Sequence, residues 1–361
     1  MHPDRRPRRT PNRRQVLGAL AGIAAAGAAG GYAWDRFGRG DGTGGAGGAG
    51  GAGGAAGAPT AVPSGGYAFE RLTGPARTVV RTTDGSALAT FTDGARTAVL
   101  TGPARTFSEP RTTSAVVHST AWIRLLPSVW RQGEESTSWF RQWFPRTLAD
   151  RSPDVLAVAF QYGDGAPDLY TKSGLRYAGR AHFGPHVPGV ASPLDFHYHD
   201  EKSDFYDYLG IPWTFPDGTR VTPQQARYGD VDCSGFQRLV WGYRMGYPMH
   251  DTDTPGIGLP RRAYAISAYA PGVLLIPDTN QRPTDISMLQ PGDLVFFSIN
   301  IGRPHAIDHC GMYMGLDNGG RPRFYSSRSA ADGPTMGDLA GVATLDGNGF
   351  YAQGLRTARR L

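Results

Sequence analysis

Residues 38–66 constrain this chain more than any other segment. They are Gly and Ala repeats with scattered Pro and Ser. Such a stretch has no side chains with which to bury a core, so it reads as a flexible tether. It divides the 361 residues into a leader, 1–34, a linker, 35–66, and a body starting near Tyr67 that must do all the folding. The body has room for two domains of ordinary size, each roughly 100–200 residues.

The leader holds most of the charge. Residues 1–41 carry eight Arg and three Asp, which leaves the remainder close to neutral although the whole chain is formally +6. The basic character therefore gives no support for nucleic-acid binding, and none is expected. Arg13-Arg14 precede a weakly apolar run from Val16 to Trp34, mostly Ala and Gly. Paired arginines before a modest apolar segment resemble a twin-arginine export signal, with Ala26-Gly27-Ala28 as a cleavage site. The competing expectation is a membrane tether through residues 16–34, with Tyr32 and Trp34 at the interface. Either places the body outside the cytoplasm, as an extracellular or wall-associated protein.

Residues 67–200 read as a β-rich accessory domain. Thr-Gly-Pro-Ala-Arg-Thr occurs at 73–78 and again at 101–106, near Asp84-Gly85 and Asp93-Gly94 turns and short β-branched runs. These are strand and hairpin signals. A Trp-rich part follows, with Trp122, Trp130, Trp139 and Trp143; residues 135–149 can form a helix and Val155–Phe160 a buried strand. The tryptophans are expected mainly in the core, while exposed ones would suit glycan strands. His197 and His199 lie at i and i+2 between Asp195 and Asp200, without an evident third ligand. No metal and no cofactor are expected.

Residues 201–361 carry the chemistry. Asp232 precedes Cys233-Ser234-Gly235-Phe236, and Phe236, Leu239, Val240 and Tyr243 recur at helical spacing. Asp232 can cap that helix, which puts Cys233 in its first turn, where free N–H groups favour a thiolate. A turn at Gln290-Pro291-Gly292-Asp293 feeds the apolar run Leu294–Phe297. Further strand-like segments follow at 307–315 and 324–327. A helix on such an antiparallel sheet can bring His309 to Cys233 as general base. The only other cysteine is Cys310. Strand alternation turns it to the opposite face from His309, so dyad and disulfide nearly exclude one another and Cys310 is expected to be a small core residue.

Three segments, 232–236, 289–297 and 308–315, resemble in order and spacing the NlpC-type cysteine peptidase family (NlpC/P-sixty). The resemblance covers 205–361 and implies an α+β, reduced papain-like fold: a helix bearing the nucleophile, packed on an antiparallel sheet. It also implies a peptidoglycan endopeptidase acting on stem peptides, commonly at the D-glutamyl–diamino-acid bond. Carried over by position, Cys233 is the nucleophile and His309 the base. Asp232 and Ser234 stand where some members grip the free amine of the stem peptide. Ser326 occupies the place of the third polar residue, usually His, Asn or Gln. Trp213, in Gly210-Ile211-Pro212-Trp213, replaces a tyrosine expected near the thiolate, and an insertion from Thr214 to Gly229 follows it. Two other readings stay open: a thiol amidase or acyltransferase on the same fold, and a wall-binding protein whose dyad is a remnant.

Overall fold

A computed structural model of the chain describes residues 66–189, 198–300, 303, 305–339 and 341–361. The leader, nearly all of the linker, Asp195 and His197 lie outside the described residues.

The body begins with an antiparallel meander: β1 (Ala68–Leu72), β2 (Arg77–Arg81), β3 (Ala87–Thr92), β4 (Thr97–Ser108) and β5 (Val116–Leu125), paired in that order. Asp-Gly dipeptides make the turns after β2 and β3, with Gly85 and Gly94 both at positive φ. The two copies of the hexapeptide do not have one structure. The first forms the β1–β2 turn, while the second lies inside β4, where the register with β5 shifts between Thr101 and Arg105. Helix α1 (Ser138–Ala149) covers one face of this sheet. Phe91, Trp130, Phe140 and Phe144 pack there as a closed aromatic cluster, with Trp139 and Trp143 partly buried at its margin.

Val155–Phe160 is helix α2, not the expected strand. The run is apolar enough for either, and its ends decide. Asp154 caps the helix by accepting from Ala157 N at 3.0 Å. The same carboxylate holds Arg105 at 2.6 Å and Ile123 N at 2.8 Å, which fixes the helix against β5. Two short hairpins, β6–β7 (Leu169–Tyr170, Arg176–Ala178) and β8–β9 (Trp213–Thr214, Arg220–Val221), flank α3 (Phe205–Leu209).

The second half is α+β, with helices packed on an antiparallel sheet. Helix α4 (Cys233–Gln237) continues as a wider π-type turn through Arg238–Arg244. Phe236, Leu239, Val240 and Trp241 are all buried. Burying one such side chain contributes roughly 1.5–3 kcal/mol, which holds this helix on the sheet more firmly than its length could. After α5 (Ala263–Tyr269) come β10 (Val273–Ile276), β11 (Leu294–Phe297), β12 (His309–Leu316), β13 (Pro322–Arg328), β14 (Gly333–Thr335), α6 (Phe350–Gly354) and β15 (Leu355–Arg360). The sheet order is β10-β15-β11-β12-β13-β14. Helix α4, β12, α2 and parts of β4 and β5 share one apolar core. Residues on both sides of position 200 contribute to that core. Among the described residues, no helix is long and apolar enough to cross a membrane.

Candidate active site

Cys233 is the first residue of α4, and Asp232 is the cap, accepting from Gly235 N at 2.7 Å. The helix can seat this close to the 203–204 segment because residue 235 is glycine. A Cβ there would stand 2.4 Å from the Ser203 carbonyl oxygen. Close packing at that point sets where the thiol emerges.

The thiol sits over the start of β12, with its Sγ 4.0 Å from the Asp308 carbonyl oxygen. His309, the first residue of that strand, is near enough that its charge and hydrogen bonding lower the thiol's pKa. The imidazole is buried, with Phe297 and Tyr351 flanking it at ring separations of 5.7 and 5.5 Å. Its Nε2 lies 3.2 Å from Ser326 Oγ on β13. That contact occupies one ring nitrogen and leaves Nδ1 for the sulfur. Asp308 holds the turn before β12 by accepting from Ile299 N and Asn300 N at 3.0 and 2.6 Å.

Cys310 differs from expectation in one respect. Both cysteines are free and buried, and Cys310 is the small core residue expected, but its thiol lies close enough to Cys233 to shift that thiol's pKa. The alternation rule holds along the strand: Cys310, Met312 and Met314 face α4, and Tyr313 faces the opposite core. Strand alternation alone does not keep Cys310 away from the thiol. Because Cys233 sits over the end of β12, it meets His309 there as well as Cys310 on the near face.

These neighbours hold the Cys233 thiol well below its ordinary pKa. The Cys310 hydrogen bond is the largest cause. Burial opposes it, and the charge and hydrogen bond of His309 reinforce it. Burial and the neighbouring Cys233 push the Cys310 thiol the other way, well above its ordinary value. One sulfur is thus favoured as the thiolate and the other as the protonated thiol.

The remaining sequence-predicted residues fall in two places. Asp232 and Ser234 are buried and turned inward. Arg261 donates to Asp232 Oδ2 at 2.7 Å and to Ser234 Oγ at 2.9 Å. Burial, the largest single influence, would raise the Asp232 carboxyl, but the Arg261 charge together with hydrogen bonds from Arg261 and Gly235 N holds it below the usual range. Trp213 packs instead against Phe205 and Tyr243, with rings 5.2 and 5.9 Å apart, toward the far end of the nucleophile helix. His199 pairs with the Ser329 carbonyl and lies 3.5 Å from Asp332. No group of three or more metal-ligating side chains occurs among the described residues.

Sequence reasoning missed what lies beneath the thiol. Arg238, fully buried, donates to Asp204 at 3.0 Å and to the carbonyls of His250 and Leu259. Arg261 approaches Asp204 from the other side at 3.4 Å. Neither arginine belongs to a recognisable local pattern, since their partners are distant in sequence. Tyr351, beside the imidazole, was equally unmarked.

No family model matches the chain, and no curated protein does. Among solved structures it is similar to an NLP/P-sixty family protein of Staphylococcus aureus, described as similar to lipoprotein. That match has 22% identity and a TM-score of 0.23, and covers 43% of this chain and 38% of the other. An NlpC/P-sixty family protein of Bacillus cereus is 15% identical, with 81% and 78% covered and a TM-score of 0.25. NlpC1 from Trichomonas vaginalis is 14% identical, with 79% and 76% covered and a TM-score of 0.27. The chain thus spans about two fifths of the staphylococcal protein and about three quarters of the other two.

Proposed function

We propose that this chain is a cysteine peptidase that cuts amide bonds in peptidoglycan stem peptides outside the cytoplasm. The observation that carries the reading is the Cys233 thiol at a helix N-terminus, over the first residue of the strand, His309, which holds its pKa down and has Ser326 on one ring nitrogen. The thiolate attacks the scissile carbonyl carbon and a C–S bond forms. The developing oxyanion meets the N–H groups of the first helical turn. Protonated His309 gives its proton to the leaving amine as the C–N bond breaks. Water, deprotonated by the same imidazole, then hydrolyses the thioester and restores Cys233.

The D-glutamyl–diamino-acid bond is the bond proposed for cleavage. Asp232 and Ser234 are the proposed contacts for the free amine of the stem peptide, which would share them with Arg261. Trp213, packed against Phe205 and Tyr243 toward the far end of the helix, is not assigned to the substrate with them. Export through Arg13-Arg14, or tethering through residues 16–34, belongs to the same reading, with residues 35–66 giving reach. Glycan contacts by the accessory domain complete it.

Incubation with purified sacculi, followed by muropeptide analysis, is the test. New peptide termini are expected from the wild type and none from Cys233→Ala or His309→Ala. Identical products from Cys233→Ala would overturn the nucleophile. Transfer of the acyl group to an added amine instead of water would favour an acyltransferase. Sedimentation with sacculi and no products would favour a wall-binding protein.

A further inference from the structure

We propose that Arg261 is a positioning residue for the Cys233 nucleophile: it clamps Asp232 and Ser234, the residues on either side of Cys233, and neutralises the carboxylate adjacent to the thiol. The proposal rests on Cys233 being the nucleophile.

The geometry is that of a fork. Nη2 of Arg261 meets Asp232 Oδ2 at 2.7 Å, and Nη1 reaches Asp232 Oδ1 at 3.2 Å and Ser234 Oγ at 2.9 Å. Nε lies 3.4 Å from Asp204 Oδ2, and Arg238 closes the other side of Asp204. Two arginines and two aspartates thus alternate beneath the first turn of α4, all nearly excluded from solvent. Burial disfavours the Arg261 charge, but Asp232 and Asp204 outweigh it and keep the guanidinium firmly protonated.

The need for that clamp follows from what faces the thiol. His309 and Cys310 favour the thiolate, whereas the Asp232 charge disfavours it. Asp308, Glu201 and Tyr351 also lie within its electrostatic reach. Arg261 is faced by Asp232, Asp204 and the Tyr206 hydroxyl. Asp232 has to stay as the helix cap, so its charge beside Cys233 is tolerable only while a cation offsets it. A lysine would carry the charge but could not span both oxygens of Asp232 and the Ser234 hydroxyl.

The test follows the alkylation rate of Cys233 by iodoacetamide against pH in the full chain, read on the Cys233 peptide by mass spectrometry. This readout needs no peptide substrate, so it stands apart from any failure to digest sacculi. If wild-type Cys233 reacts no faster than an ordinary thiol, the nucleophile reading fails first. Arg261→Met is expected to lower the rate at pH 6 by about tenfold, equivalent to about one pH unit in the thiol titration. Adding Asp232→Asn is expected to restore most of it, because the charge to be offset is gone. Arg261→Lys is expected to lose roughly two- to fivefold, retaining the charge but not the fork. An unchanged pH profile in folded Arg261→Met overturns the proposal, as does an absence of recovery in the double variant. Should Arg261→Met fail to fold, Arg261→Lys decides, and a wild-type profile there overturns it.

Discussion

At the scale of single residues, the lowered pKa of the Cys233 thiol comes from contacts that the order of residues only half announces. Asp232 as the cap and His309 as the partner follow from local pattern. The Cys310 thiol does not, because strand alternation assigns it to one face and says nothing of where the helix end lies above that strand. Removing it tests the hydrogen bond directly. Cys310→Ala is expected to move the Cys233 titration upward and slow alkylation at pH 6 by about threefold or more, since the largest cause of the depressed pKa is lost. The same variant should retain its fold, because a small apolar group replaces a buried thiol.

Among elements, α2 shows how an ambiguous segment is resolved. Val155–Phe160 is a short apolar run with no period of its own, and such runs read equally as buried strand or helix. The Asp154 carboxylate settles it by capping the helix while also binding Arg105 and Ile123 N. Asp154→Ala removes the cap and leaves both partners unsatisfied in or near the core. The expected loss is about 3–5 kcal/mol, read as a lower midpoint in urea unfolding. The repeated hexapeptide gives the complementary lesson. Identical residues form the turn at 73–76 and the start of β2 in one copy but lie wholly within a strand at 101–106 in the other, where they pair with β5 and lie under Trp122.

Over the whole molecule, the two halves are joined by polar ties as well as by the common core. Asn318 N donates to the Val116 carbonyl at 2.7 Å, and Arg360 links Asp293 to the Thr92 hydroxyl. The collective charge state gives a stability prediction. Burial raises Asp207, Asp230 and Asp251 to about 6, and the hydrogen bond that His182 donates to Asp332 raises His182. A group raised on folding binds its proton more tightly in the native state, so its stabilisation is complete below the unfolded pKa and fades as pH rises through the folded one. Between pH 5.5 and 8 these groups together favour the acidic side. The Cys233 thiol and His250, both lowered, run the other way. In a Cys233→Ala background the melting temperature is therefore expected to be a few degrees higher at pH 5.5 than at pH 8. Below about pH 4 the trend should reverse as Asp232, Asp332 and Asp338 take up protons, because all three are held low in the native state. A melting temperature that rises steadily from pH 5.5 to 8 in that variant would contradict this account.

Read from the chain alone, the features that depend on near neighbours were legible: the Asp-Gly turns, the cap at Asp232, the apolar face of α4 and the three strands that follow it. Each is decided by backbone hydrogen bonding and periodicity over a few residues. The His309–Ser326 contact was legible only through resemblance, since 17 residues separate the pair. What the tertiary structure alone decided was the helical state of α2, the approach of Cys310 to Cys233, and the Arg238–Asp204–Arg261–Asp232 network. Burial is the physical reason. A charge or thiol removed from water must find its partner wherever the fold supplies one, and that partner carries no mark in the local sequence.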